Sequence, residues 1–262
     1  MSSMISSGLS ALGSVYLWSN PIAKVKGFIS SLFKPVSKSE DFDEEFNRRV
    51  IKIFDKFLKE NNLDANLKIC QMWTGHIMGT KTTFNENKII VLSNLLDTDE
   101  EAFKFLFKHE ISHVKGNDSI KAALLNPIFS ISSVFFLRHY CGLSFIPAVI
   151  SYRILKYVFE KRVAIFVATF FERKADNFAI NNSTIDELKG GLRMVYAEKE
   201  LLTIPTFHPT PSSRKKALEA ALEKVGIRYV PSSEEFEGLI KLLKKNQENS
   251  IASKLQEMEE KK

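Results

Sequence analysis

The chain has 262 residues, 44% of them apolar and 26% charged, which is enough for one core with helical appendages and does not require two independent domains. Its net charge of +6 comes from lysines and arginines scattered over helical stretches, with no basic stripe and interleaved aromatics, so nucleic acid is not an expected partner; solubility or attraction to an anionic membrane surface accounts for the balance. The only cysteines, Cys70 and Cys141, lie far apart without Cys-x-x-Cys spacing, which excludes a disulfide framework and a thiolate zinc finger and suits a reducing compartment.

Residues 1–40 form a Ser-rich N-terminal segment without the basic start and continuous apolar run of a secretory signal. Within it, Ile22 to Phe33 reads as a weakly amphipathic, membrane-surface helix stopped by Pro35. From Phe42 to Asn61 the spacing of Phe46, Val50, Ile53, Phe54, Phe57 and Leu58 predicts a long amphipathic helix, ended by Asn61-Asn62. Leu67–Met72 and Lys88–Leu92 read as short strands. Asp97 and Asp99 are N-terminal acids for a helix running through Phe103, Leu106, Phe107, Glu110 and Val114 to Gly116.

Three apolar runs follow: Ala122 to Leu137, Cys141 to Ser151 after a polar break at Arg138 and His139, and Val163 to Phe171. As a helix, the first spans roughly 24 Å, short of the roughly 30 Å hydrocarbon core of a bilayer, so a turned membrane hairpin and a buried soluble hairpin both fit. Beyond Asn181 the chain reads as polar helices interrupted by a Pro-punctuated loop from Ile204 to Pro211. Residues 231–262 read as a charged, exposed helical tail.

The chemistry concentrates at His109-Glu110-Ile111-Ser112-His113. Residues four apart share one helix face, so the two histidines can present ring nitrogens to one Zn²⁺ while Glu110 lies close enough to a water to take its proton. The plainer meaning is two histidines on a helix surface. A catalytic zinc keeps three protein ligands and one open position, so a third must come from elsewhere. In Phe171-Glu172-Arg173-Lys174-Ala175-Asp176 the two acids are also four apart, so Glu172 can reach a metal while Asp176 hydrogen-bonds a ligand imidazole from behind. Read alone, that segment is more commonly a solvated turn at a helix end. His76 and His139 are assigned no metal role.

Taken in order, three motifs resemble those of the membrane-associated gluzincin peptidases, which include the heat-shock protease HtpX and the CAAX prenyl protease. His109 to His113, continued by Val114-Lys115-Gly116-Asn117-Asp118, is similar to the family's zinc helix. Glu172 with Ala175 and Asp176 is similar to its Glu-x-x-Ala-Asp helix, and His208-Pro209 with Arg214 to its His-Pro loop and following helix. Two departures stand out: Gly75-His76-Ile77-Met78-Gly79 replaces the family's Asn-Ala-Phe stretch, and the arginine usually preceding the third-ligand glutamate is replaced around Thr169.

The resemblance implies a mainly α fold with a small mixed β-sheet, a zincin-like metallopeptidase domain over residues 41–230 with a hydrophobic helical hairpin (residues 120–171) inserted between the zinc ligands. It implies one Zn²⁺ on His109, His113 and Glu172, Glu110 as general base, His208 beside the metal as oxyanion stabiliser or resting-state ligand, and Asp176 and Arg214 behind the ligands. Protein or peptide substrates follow, with a role in membrane-protein quality control. Arg153, Lys156, Lys161 and Arg162 flank the insert on the catalytic side, which by the positive-inside rule would face the cytoplasm; a soluble cytoplasmic protein is the other reading. The rival function is a silent zinc-binding, membrane-attached scaffold, which would need a fourth protein ligand and have no use for Glu110.

Overall fold

The computed structural model describes residues 43–63, 67–72, 77–82, 87–92, 94–201 and 209–259. The expected N-terminal helix, His76 and His208 lie outside the described residues. The elements in chain order are helix α1 (Glu44–Glu60), strands β1 (Leu67–Met72), β2 (Met78–Thr82) and β3 (Asn87–Leu92), and a single turn α2 (Leu95–Thr98). Then come α3 (Glu100–Gly116), α4 (Asp118–His139), α5 (Phe145–Asn182), α6 (Ile185–Glu200), α7 (Pro211–Lys224) and α8 (Ser233–Glu259). Among the described residues the chain is thus mainly helical with one small sheet.

The sheet has the order β1-β3-β2 and is mixed, with β3 parallel to β1 and antiparallel to β2. Central β3 carries the continuous Ile-Ile-Val-Leu run because its Ile89 and Val91 are fully buried in the core. Edge strand β2 answers to the strand that the resemblance placed near Gly75–Gly79, but its own residues do not announce it: Met-Gly-Thr-Lys-Thr has neither apolar alternation nor an apolar run, and its pairing with β3 makes it a strand.

Helix α3 is the hub. Asp99 caps it by accepting from the Ala102 N–H, and the same carboxylate takes a two-pronged bond from Arg193 on α6, with Nε 2.7 Å and Nη2 2.8 Å from its oxygens. Phe103 and Phe107 are buried on one side, where Phe107 stacks on Phe54 of α1 with ring centroids 4.2 Å apart, and Phe105 is buried on another, against Gly191 of α6. Opposite, α6 approaches so closely that a Cβ on Gly190 would lie 2.4 Å from the Ala102 backbone nitrogen. Buried Lys108 projects from the middle of α3 and donates to the Asn182 carbonyl (2.8 Å) and the Glu187 carboxylate (2.6 Å), tying down the end of α5 and the start of α6. Glu187 also closes the capping box of α6 with Thr184. α3 is therefore surrounded by protein, which explains how two histidines and a glutamate on it come to be buried.

Two expectations are corrected. Residues 145–151 of the second apolar run and the whole of Val163–Phe171 belong to one continuous helix of 38 residues, α5, because the Lys and Arg residues between them interrupt hydropathy without weakening helix propensity. The supposedly exposed tail is docked along its first half: Phe236, Leu239 and Leu243 of α8 are buried in the common core. Helices α4 and α5 pack on each other across the turn at residues 140–144, near which Phe135, Phe136, Tyr140, Ile146 and Ile150 are each more than half exposed. Among the described residues, no helix is long and apolar enough to cross a membrane.

Candidate metal centre

His109 and His113 lie one turn apart near the end of α3, with their Nε2 atoms 3.2 Å from each other. From α5, Glu172 brings its carboxylate 3.2 Å from His109 Nε2 and 3.5 Å from His113 Nε2. Each imidazole is held from behind by an acid: His109 Nδ1 lies 2.9 Å from Asp176 Oδ1, and His113 Nδ1 lies 3.0 Å from Asp118 Oδ2. An Nδ1–H donated to each carboxylate leaves both Nε2 lone pairs directed at the same point, beside a third, anionic donor.

Electrostatics reinforce this. Burial disfavours a charged His109, yet hydrogen bonds with Asp176 and Glu172 outweigh it and push the pKa up to about 10. His113 is also raised: burial opposes charge, and Glu172 and Glu110 overcome it. Burial would lift Asp176, but the Arg214 guanidinium and His109 hold it below the usual carboxylate range. The site demands positive charge, and a divalent cation shared by two nitrogens and a carboxylate meets that demand with one centre.

The donor set fits zinc. Ligands about 2.0–2.1 Å from a tetrahedral zinc stand roughly 3.4 Å apart along each edge. The two Nε2 atoms, 3.2 Å apart, match that edge, and the Glu172 carboxylate straddles the pair, with Oε2 3.2 Å from His109 and Oε1 3.5 Å from His113. Among the described residues these three are the group of His, Cys, Asp and Glu side chains close enough to hold one ion.

Glu110 is buried beside the pair, near enough for its charge to raise both imidazoles. Thr80 of edge strand β2 donates its hydroxyl to the Glu110 carboxylate. Arg214 is buried on α7, with Nε 3.3 Å from Asp176 Oδ2 and Nη1 3.1 Å from Glu198 Oε2. The structure thus brings together His109, Glu110, His113, Glu172, Asp176 and Arg214.

Three neighbours of the site escaped the sequence reading: Thr80, Glu198, and the bond from Asp118 to His113. For Asp118 a signal existed. Gly116-Asn117 is a helix-stop pair, and Asn117 adopts the left-handed conformation (φ 50°), which turns the chain so that the next side chain points back at the last turn of α3. Gly116 is needed there, since a Cβ on it would lie 2.4 Å from Asp118 Oδ1.

No curated protein matches the chain in sequence. The crystal structure of S. mikatae Ste24p is 17% identical and superposes with a TM-score of 0.45, covering 82% of this chain and 58% of that one. The chain thus spans less than two thirds of the length of that relative. The sequence profile of peptidase family M48, a family of zinc metalloproteases, matches residues 78–222, from the edge strand through both ligand-bearing helices to Arg214. That segment exceeds half of the chain, and the protein belongs to peptidase family M48.

Proposed function

We propose that this metalloprotease is a zinc-dependent endopeptidase cutting proteins or peptides, with zinc held by His109, His113 and Glu172. The observation that carries the reading is the pair of Nε2 atoms 3.2 Å apart with the Glu172 carboxylate straddling them, both imidazoles held from behind by carboxylates. Zinc, when bound, supplies Lewis acidity to polarise the scissile carbonyl and lower the pKa of water. Glu110 takes a proton from the attacking water and delivers it to the leaving amine. Asp176 and Asp118 keep the imidazoles in the tautomer whose Nε2 can ligate, and burial limits bulk water around them. We assign His208 to oxyanion stabilisation or to the resting state, on its place in the His208-Pro209 motif.

A membrane-protein substrate class and a membrane-associated location belong to the same proposal. They are supported by the exposed aromatic and aliphatic side chains where α4 turns into α5, and the Lys and Arg content at residues 153–162 supports a catalytic side that faces the cytoplasm. Recovery of the whole protein in a detergent-free high-speed supernatant would refute the location.

The deciding experiment is zinc content per chain for wild type and Glu172→Ala, run beside casein hydrolysis. One zinc in wild type, lost or weakened in the variant together with activity, supports the three-ligand site. Wild type purified without chelator and free of zinc would refute it.

A further inference from the structure

Behind the candidate ligands lies a chain of buried charges that the reaction itself does not use. Glu198, on α6, is only 9% exposed and accepts from Arg214 Nη1 at 3.1 and 3.5 Å through its two oxygens. Arg214, on α7, turns its other edge to Asp176 on α5, with Nε 3.3 Å from Oδ2. Asp176 gives its second oxygen to His109 Nδ1 on α3. Four helices are joined by one file of side chains ending at a candidate ligand.

We propose that Glu198 is a positioning residue for the metal centre: it holds the Arg214 guanidinium from the far side, so that Arg214 orients Asp176, and Asp176 in turn fixes the ring of His109. This rests on the zinc site proposed above.

The reasoning starts from the cost of burying a carboxylate, several kcal/mol unless it is paired and hydrogen-bonded. Glu198 would be an expensive way to fill space, and what it holds is one edge of a planar, fork-shaped cation. The other acids around Arg214 both sit on α5: Asp176, and Glu172, whose charge also acts on the guanidinium. Without a counter-charge on α6, the guanidinium is drawn toward α5 and shares itself between Asp176 and a candidate ligand. A cation drawn to Glu172 competes with the metal for the same oxygens. Glu198 pulls the other way.

The two histidines differ in this respect. Asp118 is aimed at His113 by the left-handed turn at Asn117, and its other neighbour is the half-exposed Lys174, 3.9 Å away. Backbone geometry does the aiming there. Asp176 instead meets a buried cation, and a buried cation has to be anchored.

The test uses the full chain as wild type, Glu198→Ala and Glu198→Gln. The Gln variant keeps the shape and an acceptor oxygen and removes only the charge. Zinc affinity is measured by competition with a chromophoric chelator, the Co²⁺-substituted protein is compared by visible absorption, and kcat and KM on casein are separated. The expected result is a loss of zinc affinity of about tenfold or more in Glu198→Ala, the range seen when partners behind metal ligands are removed. A smaller but measurable loss in Glu198→Gln, an altered Co²⁺ spectrum in both, and a fall in kcat with KM unchanged complete the expectation.

Variants that melt earlier but bind zinc and Co²⁺ as wild type does would overturn the proposal and leave Glu198 as scaffold. Should Glu198→Ala fail to fold, Glu198→Gln decides: unchanged affinity and spectrum overturn it. Wild type without zinc would overturn the underlying site and this inference together, whereas normal wild-type zinc with unaffected variants overturns this inference alone.

Discussion

Replacing Gly116 with alanine sets two physical effects against each other. Gly116 ends α3 with a helical backbone, and in a helix alanine is favoured over glycine by about 1 kcal/mol, so propensity alone predicts a more stable protein. The new methyl group, however, would lie 2.4 Å from Asp118 Oδ1 and 2.9 Å from its Cγ. Ordinary contact requires about 1 Å more, and the carboxylate must supply it by moving away from the methyl. Its bond to His113 Nδ1, 3.0 Å long, has little slack, and beyond about 3.5 Å it is no longer a hydrogen bond. His113 then loses the group that fixes its ring and tautomer. Such a loss typically weakens metal binding 10- to 100-fold, about 1.4 to 2.7 kcal/mol. The expected result for Gly116→Ala is therefore an apoprotein at least as stable as wild type in thermal melts that binds zinc at least tenfold more weakly in chelator competition. Wild-type zinc affinity in this variant would refute the reasoning, because it would mean that the turn at Asn117 does not set the ligand.

Other substitutions probe separate links. Glu110→Gln should retain one zinc and lose at least about 10²-fold in kcat, the contribution of a positioned proton-transfer group, as read by casein hydrolysis beside metal analysis; near-wild-type turnover would remove Glu110 from the mechanism. Gly190→Ala should destabilise the fold by about 1–3 kcal/mol despite alanine's better propensity, since the added methyl meets the backbone of α3, which cannot step aside; a denaturant midpoint equal to wild type would contradict the close approach. Asp99→Ala removes the cap of α3 and both bonds to Arg193, and should cost about 2–3 kcal/mol in urea unfolding.

What the sequence made legible was local and periodic. The four-residue spacing of His109 and His113 needs only a helix to become a shared face, and the same spacing explains how Glu172 and Asp176 can reach one imidazole from two sides. Helix α1 and strand β3 announced themselves through their apolar patterns. The missed features depend on packing between distant segments. Thr80 sits on a strand whose composition is not strand-like until β3 pairs with it. Glu198 lies 16 residues from Arg214 and meets it only because α6 and α7 pack together. The continuity of α5 was hidden because hydropathy was read as a boundary signal, whereas lysine and arginine are good helix formers. Asp118 was visible in the sequence, but its role depends on one backbone angle at Asn117.

Lys108 is the residue immediately before His109, and its ammonium joins the last turn of α5 to the first turn of α6. One carboxylate oxygen of Glu187 receives both that ammonium and the Thr184 N–H. The corner between α5 and α6 therefore cannot fray by itself: unwinding the first turn of α6 strips the partner from a lysine buried in the middle of α3. In amide hydrogen exchange, the N–H groups near Thr184 and those around Lys108 should open together as one cooperative unit, although the two segments lie far apart in the chain. The peptide segment carrying the histidines then has no low-energy route to local opening from this side, and its rigidity is inherited from a helix cap.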